Sequence, residues 1–218
     1  MERAEKILDC LAEKPYTLHI NLQNGVRVDR MDERLIAKMR KAGVFKIGFG
    51  IETAAPDIQE RIRKKNDLRQ ATHLIKVARS QGIITTAFFM IGLPGETAKT
   101  MQETIAFALQ MNPHFANISV CVPLPGTELF EEIKRSGKFL GAVENGLPGG
   151  FFGGRVLFRL NGTEPQEIIS YLRMAYKKFY MRPSKLMDIL STIKSIRELQ
   201  WLLRIGCYIL YAGRSGTS

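Results

Sequence analysis

A short apolar strand, a tight polar or glycine-rich turn and an amphipathic helix recur in this order between residues 45 and 129. The turns that follow three of these strands lie at residues 50–53, 90–97 and 122–127. Parallel strands joined by helices point the same way, so the three turns gather at the carboxyl edge of one sheet. Open and barrel-shaped α/β proteins bind small molecules at that edge. The pattern therefore predicts an α/β enzyme domain with a site for a small molecule.

The length and composition are those of one globular domain with an appendage. The chain has 218 residues, of which 45% are hydrophobic, enough to bury a core without disulfides. Charged side chains occupy the first thirteen residues, where a signal peptide would need an apolar stretch. Cys10, Cys121 and Cys207 form no local metal motif, which fits a reducing compartment. We therefore expect a cytoplasmic protein whose cysteines are small buried side chains.

The net charge of +11 permits binding of nucleic acid, acidic ligands or an anionic membrane. The basic residues are spread over several helices and are dense only at residues 61–65 and 176–178. The aromatic-rich signatures of nucleic-acid-binding modules are missing. We interpret the charge as a solvated surface and predict no specific nucleic-acid partner.

Hydrophobic periodicity and capping residues predict the order of the elements. Strands are predicted at residues 16–22, 45–51, 83–91 and 115–122, with a turn at 23–25 after the first. Helices are predicted at residues 2–12, 32–40, 56–65, 67–81, 97–111 and 128–136. Further helices are predicted after Thr163, as the capping residue, and at 195–212. Residues 137–162 contain eight glycines, which favours an irregular cover or linker.

Polar groups at the strand ends are candidate ligands for the small molecule. Glu52 follows a buried run, and a carboxylate there can bind ribose hydroxyls or an ammonium group, or can cap a helix or form a salt bridge. Asn21 and Arg27 flank the first predicted exit, where the arginine can grip a carboxylate or simply lie at the surface. The turn at residues 92–97 can bring the backbone close to a flat ligand, or merely join strand to helix.

In this order, the motifs resemble the radical S-adenosylmethionine superfamily. They are similar above all to the branch that often carries an N-terminal cobalamin-binding domain, which includes the anaerobic Mg-protoporphyrin ester cyclase type. The motifs lie at residues 27–29, 49–53, 88–97 and 123–129, with a similar tail at 175–184. The resemblance covers nearly the whole chain, and the ordered set is more specific than any single motif.

The resemblance implies an α/β fold, namely a partial, open TIM-like (βα) barrel, of which about four parallel strands lie in residues 1–136. The glycine-rich linker or cover at 137–162 and a C-terminal helical extension at 163–218 would follow. It also implies a [4Fe–4S] cluster held by a C-x3-C-x2-C motif, S-adenosylmethionine bound to that cluster, and release of a 5′-deoxyadenosyl radical on one-electron reduction. The substrate would be a small molecule, and methyl transfer would add cobalamin as a cofactor.

The resemblance also implies two groups of residues that hold the nucleotide cofactor. Its ribose or methionyl part would be bound by Asn21, Arg27, Glu52 and Thr53. Its adenine would face the backbone at Ile91, Gly92, Val122 and Pro123.

The sequence departs from the family pattern because it contains no C-x3-C-x2-C motif. It begins in what resembles the second helix of the barrel. We therefore expect the cluster loop to lie in a missing N-terminal portion of a parent protein, and this chain alone to be inactive and to hold none of these cofactors stably. The alternatives are a cluster-less homologue that binds a ligand or partner, and an unrelated open α/β domain.

The last predicted helix, in residues 196–212, is apolar almost all round beside Arg197 and Arg204. It is too short for a membrane span, which needs about 20 apolar residues. It is expected to dock on the barrel or on the missing portion, or else to make a peripheral membrane contact.

Overall fold

The computed structural model describes residues 2–64, 66–136, 139–140, 156–159, 163–193, 195–197, 199–200 and 204. Within them the strands are β1 (Ile20–Val26), β2 (Val44–Glu52), β3 (Ile84–Ile91) and β4 (Phe115–Val120). The helices before β4 are α1 (Glu2–Ala12), α2 (Glu33–Lys41), α3 (Pro56–Arg61), α4 (Leu68–Ser80) and α5 (Ala98–Met111). Those after it are α6 (Glu128–Ser136), α7 (Pro165–Tyr180) and α8 (Pro183–Leu190).

The four strands form one sheet in the order β1-β2-β3-β4, and each neighbouring pair is parallel. Parallel neighbours in chain order require a crossover between successive strands, and helices α2 to α5 lie in those crossovers. The predicted α/β fold with about four parallel strands is thus confirmed. The carboxyl ends of the strands share one edge of the sheet, which we call the carboxyl edge.

One face of the sheet is covered by helices and carries the main core. Ile47, Phe49 and Ile51 of β2 and Phe89 and Ile91 of β3 are fully or almost fully buried there. Successive strand residues point to opposite faces, so the intervening residues line the other face, which we call the inner face. The inner-face residues of β2, β3 and β4 include Lys46, Gly48, Gly50, Glu52, Ile84, Thr86, Phe88, Met90, Phe115, Asn117 and Ser119.

The free edge of β4 is sealed by two tyrosines of α7. The Tyr180 hydroxyl accepts from Ala116 N (3.0 Å) and donates to Ala116 O (2.8 Å). The Tyr176 hydroxyl makes the same pair of bonds with Ile118, at 3.3 and 3.0 Å. Four residues of a helix rise about 6 Å and two residues of a strand about 6.6 Å, so the hydroxyls match alternate residues of β4. The pair replaces a neighbouring strand.

Side-chain caps begin three helices, two of them at the predicted capping residues Asp32 and Thr97. Asp32 accepts from Leu35 N at 2.7 Å, and Asp67 accepts from the first turn of α4. Thr97 and Thr100 bond reciprocally as a capping box at the start of α5. The prediction that Thr163 caps the next helix is wrong, because the Thr163 hydroxyl donates to Glu96 O at 3.2 Å and leaves that helix without a side-chain cap.

The first strand differs most from its prediction, since the expected turn at residues 23–25 belongs to β1. The pairing of β1 with β2 shifts register between Leu22 and Val26. Gly25 takes a positive φ of 82° in this irregular stretch and lies against the Gly50 backbone. The glycine therefore lets the strand continue along β2 through an irregularity, where a turn had been predicted.

Other boundaries differ for local reasons. Helix α3 ends at Arg61 because Arg63 adopts a left-handed conformation, with φ of 56°. The expected burial of all the cysteines is wrong for Cys10, which is exposed on the outer helix α1, whereas Cys121 is buried. Helix α8 was not predicted.

The C-terminal part of the described chain packs into the same core as the sheet. Ile168, Ala175 and Phe179 of α7 join the main core. Most of the predicted cover at 137–162 and most of the helix at 196–212 lie outside the described residues. Among the helices that are described, none has the length and apolar composition needed to cross a bilayer.

Candidate functional site

Glu52 is the last residue of β2 and lies at the carboxyl edge in a left-handed conformation, with φ of 69°. The pairing of β2 with β3 shifts register between Gly50 and Glu52. A non-glycine residue with this φ is strained by about 1 kcal/mol or more, and such strain clusters at ligand-binding sites. Its carboxylate accepts from Lys64 Nζ at 2.9 Å, in an ion pair whose side chains are 21% and 32% exposed.

The ion pair lies over Gly50. A Cβ atom on Gly50 would come within 3.2 Å of Lys64 Nζ and 3.3 Å of Glu52 Oε1, so the glycine leaves room for both groups. Asn66 fixes the loop that carries the lysine, because its amide donates to Gly50 O at 2.9 Å and Ile51 O at 3.2 Å. Asn66 thereby helps to hold Lys64 beside Glu52 at the carboxyl end of β2.

Thr53, the residue after Glu52, makes buried hydrogen bonds that stabilise this edge of the sheet. It is fully buried, and its hydroxyl bonds the Thr104 hydroxyl at 3.1 Å and accepts from Ala55 N at 3.2 Å. Gln59 donates to the Thr53 carbonyl at 2.8 Å. Thr53 thus anchors the chain that follows Glu52.

Glu96, in the turn after β3, is a buried carboxyl that is only 4% exposed. Its Oε2 accepts from Leu93 N at 2.9 Å, and its Oε1 has no hydrogen-bond partner within the described part of the chain. Burial raises the pKa of Glu96 to about 7, against the opposing effects of the Leu93 and Gly92 N–H groups and the Thr53 hydroxyl. The Glu96 carboxyl thus joins the end of the turn at residues 92–96 to the backbone at Leu93.

A cavity of about 20 Å³ lies beside this turn, lined by Gly92, Leu93, Gly95, Glu96, Phe158, Thr163 and Ile168. It has room for about one water molecule, whereas ligand pockets measure about 300–1,000 Å³. Gly92 has a φ of 72°, and a Cβ there would meet the Ile168 side chain at 3.2 Å. The turn therefore packs against α7, and this cavity is too small for a cofactor-sized ligand.

The exits of β3 and β4 are joined by a hydrogen bond from Cys121 N to Ile91 O at 2.9 Å. The Cys121 thiol is buried, which raises its pKa to about 12, with smaller contributions from the Glu96 and Glu52 carboxylates. This thiol stays neutral and is a poor metal ligand or nucleophile.

The structure places seven of the eight predicted site residues at or just after the carboxyl ends of strands: Arg27, Glu52, Thr53, Ile91, Gly92, Val122 and Pro123. The guanidinium of Arg27 forms two hydrogen bonds with Asp29, at 3.0 and 2.7 Å, which raise the pKa of Arg27. Asn21 lies at the opposite end of its strand, opposite Lys46. It is therefore not beside the other predicted site residues.

Sequence reasoning missed Lys64 and Glu96 as site residues. Lys64 stands in a basic run that was interpreted as solvated surface, and nothing in the sequence pairs it with Glu52, twelve residues earlier. Glu96 ends the Gly92-Leu93-Pro94-Gly95-Glu96 motif, and an acidic residue just before a helix was the available signal.

The described residues do not form a set of ligands for an iron–sulfur cluster. In the described ranges, no three His, Cys, Asp or Glu side chains converge on a position that could hold a metal ion. Cys10 lies on α1 and Cys121 beyond β4, 111 residues apart in a sequence that has no C-x3-C-x2-C motif. The described residues therefore do not fit a [4Fe–4S] cluster.

Comparison with known proteins defines the class to which this fold and site belong. Residues 2–108 match the family described as the Radical SAM superfamily. The chain therefore carries a radical S-adenosylmethionine superfamily domain.

Individual relatives are similar over different parts of the chain. An uncharacterized methyltransferase, PH0819 of Pyrococcus horikoshii, is 30% identical over 196 residues, which are 86% of this chain and 41% of that protein. The anaerobic magnesium-protoporphyrin IX monomethyl ester cyclase of Rubrivivax gelatinosus is 36% identical over 102 residues, 47% of this chain and 18% of that protein. This chain spans less than half the length of either relative.

Solved structures share the fold. The radical S-adenosylmethionine methyltransferase TsrM from Kitasatospora setae, solved with cobalamin and a [4Fe-4S] cluster bound, superposes with a TM-score of 0.54 at 18% identity, over 62% of this chain and 26% of that one. Coproporphyrinogen III oxidase (HemN) from Escherichia coli, described as a radical SAM enzyme, superposes with a TM-score of 0.53 at 15% identity, over 83% of this chain and 36% of that one.

Proposed function

We propose that this chain forms the S-adenosylmethionine-binding wall of a radical S-adenosylmethionine enzyme that modifies a small molecule, with methyl transfer as the favoured reaction. The observation that carries the proposal is the Glu52–Lys64 ion pair, held at 2.9 Å over Gly50 at the carboxyl edge. When bound, the cofactor supplies a 5′-deoxyadenosyl radical or a methyl group. The methyltransferase relative, which is similar over 86% of this chain, supports the choice of reaction.

The charges of the pair match the amino-acid end of the cofactor. That end carries an ammonium group and a carboxylate on one carbon atom, and the ribose adds two hydroxyls. Glu52 accepts hydrogen bonds from the ammonium group or the hydroxyls, and Lys64 pairs with the carboxylate. Binding thereby replaces one ion pair of the protein by two contacts with the ligand, and the partly exposed geometry lets both side chains turn.

The neighbouring strand exits position the adenine in this proposal. Its ring lies along the backbone of Gly92 and Val122, beside Ile91 and Pro123. Glu96 acts on the same turn as a positioning residue, because its carboxyl fixes Leu93 N at 2.9 Å. The cluster thiolates come from residues outside these 218, in the remainder of a parent protein, and cobalamin joins that assembly for methyl transfer.

The test is equilibrium binding of S-adenosylmethionine to the purified chain by isothermal titration calorimetry. Loss of a hydrogen bond to a charged group costs about 1.5–3 kcal/mol, so Glu52→Gln is expected to weaken binding by about 10-fold to 100-fold. Glu60→Gln is the matched control, because Glu60 is exposed on the adjacent helix α3. Without the cluster, the chain is expected to bind S-adenosylmethionine weakly but saturably, and equal affinities of the wild-type and Glu52→Gln proteins would contradict the proposal.

A further inference from the structure

Lys46 is a half-buried cation on the inner face, far from the proposed cofactor site. It is the third residue of β2, and the register places it between Asn21 of β1 and Ile84 of β3. Its Nζ lies 5.3 Å from the centre of the Phe115 ring in β4, so the side chain reaches across the sheet. Burial alone lowers the pKa of Lys46, and in the described part of the chain it forms no ion pair. The positive charge of Lys46 therefore has no anion beside it in the described part of the chain.

Thr86 supplies a second polar group without a partner on the same face. It is 8% exposed, and its hydroxyl forms no hydrogen bond within the described ranges. Thr86 pairs with Gly48 on one side and with Phe115 on the other. It therefore lies in the same row of the sheet as the ring that Lys46 approaches. A buried hydroxyl left unpaired costs about 1–3 kcal/mol, which a bound acceptor would recover.

An ammonium group without an anion and a hydroxyl without a hydrogen-bond partner, beside an aromatic ring, have the chemistry of an anion site. We propose that Lys46 and Thr86 bind the carboxylate or phosphate group of the substrate, with Asn21 at the margin of the site. Asn21 is exposed and lies directly opposite Lys46 in the register, which is why it stands away from the residues that we assign to the cofactor. The identity of this ligand as the substrate rests on the proposed function, whereas the anion site does not.

The surface between the Lys46–Thr86 site and Glu52 indicates the size and polarity of the rest of the substrate. Gly48, level with Thr86, precedes Glu52 by four residues, which span about 13 Å of strand. Phe88 and Met90 lie along this path and are half-buried. The Phe88 ring lies directly over Gly48, where a Cβ atom would approach Phe88 Cε2 to 2.5 Å. A molecule with an apolar or aromatic body about 13 Å long and an acidic end fits this path, with its reacting end at the carboxyl edge.

The test uses the full chain labelled with ¹³C at lysine Cε, titrated with 4-phenylbutyrate and, as a neutral match, with 4-phenylbutan-1-ol. Anion binding is expected to move the Lys46 resonance saturably and to raise the pKa of Lys46, whereas the alcohol moves neither. Lys46→Met should abolish binding while keeping an apolar chain over Phe115, and Lys46→Arg should retain it. Thr86→Val should weaken binding about 3-fold to 10-fold.

Lys134→Met is the matched control, because Lys134 is exposed on α6, and it should bind the carboxylate as the wild type does. Equal shifts at all lysines, or unchanged binding by Lys46→Met, would overturn the anion site. If Glu52→Gln left cofactor affinity unchanged while Lys46 behaved as expected, the proposed function would fail and the anion site would stand.

Discussion

Replacing Glu96 by glutamine tests whether the buried Glu96 carboxyl is protonated while it holds the turn at residues 92–96. Burial raises the pKa of Glu96 from 4.5 to about 7. Between these values the unfolded chain releases a proton that the folded chain keeps, so the free energy of unfolding falls as pH rises through this interval. At about 1.4 kcal/mol per pKa unit, the interval from 4.5 to about 7 corresponds to about 3 kcal/mol.

The glutamine side chain has no proton to lose, so Glu96→Gln should lack this component. We expect the free energy of unfolding of the variant, relative to that of the wild type, to rise by about 3 kcal/mol between pH 4.5 and 8 and to level off above that. Urea denaturation followed by circular dichroism from pH 4 to 9 measures both curves. Glu60→Gln, at an exposed position of α3, should parallel the wild type. A Glu96→Gln curve that also parallels the wild type would refute the reasoning.

Two further substitutions test how α7 and α8 are attached to the sheet. Tyr180→Phe leaves the N–H and C=O of Ala116 without their partner at 3.0 and 2.8 Å, and should lower the free energy of unfolding by about 1–3 kcal/mol in urea. Asp188→Asn removes the carboxylate that pairs at 2.6 Å with Lys185, which is only 1% exposed, and should cost about 3–5 kcal/mol by thermal or urea unfolding.

Each of these variants has an exposed control. Tyr16→Phe, at a tyrosine that is 60% exposed, and Asp57→Asn, in the first turn of α3, should change the free energy of unfolding by less than about 0.5 kcal/mol. A Tyr180→Phe protein as stable as Tyr16→Phe would mean that water replaces the hydroxyl at the sheet edge. An Asp188→Asn protein within about 1 kcal/mol of the wild type would mean that Lys185 finds another partner or loses its proton.

The sequence was sufficient to predict the parallel sheet, because strand and helix periodicities and capping residues are local signals. Asp32 and Thr97 start helices as predicted. The irregular part of β1 was mistaken for a turn, since Asn24-Gly25 is a local turn signal that only pairing with β2 overrides. Glu52 could be predicted as a site residue from its place after a buried strand. Its partner Lys64 could not, because the contact depends on how the loop folds back over Gly50.

The two edge strands of the sheet, β1 and β4, differ in whether a further strand could pair with them. Tyr176 and Tyr180 occupy the outer N–H and C=O groups of β4 at Ile118 and Ala116, so a further strand could pair there only by displacing α7. No strand in the described part of the chain pairs with the outer edge of β1. Any strand that extends this barrel wall, from another segment or another chain, must therefore add beside β1. That side is next to Asn21 and Lys46, so the added strand would enclose the proposed anion site as well as widen the carboxyl edge.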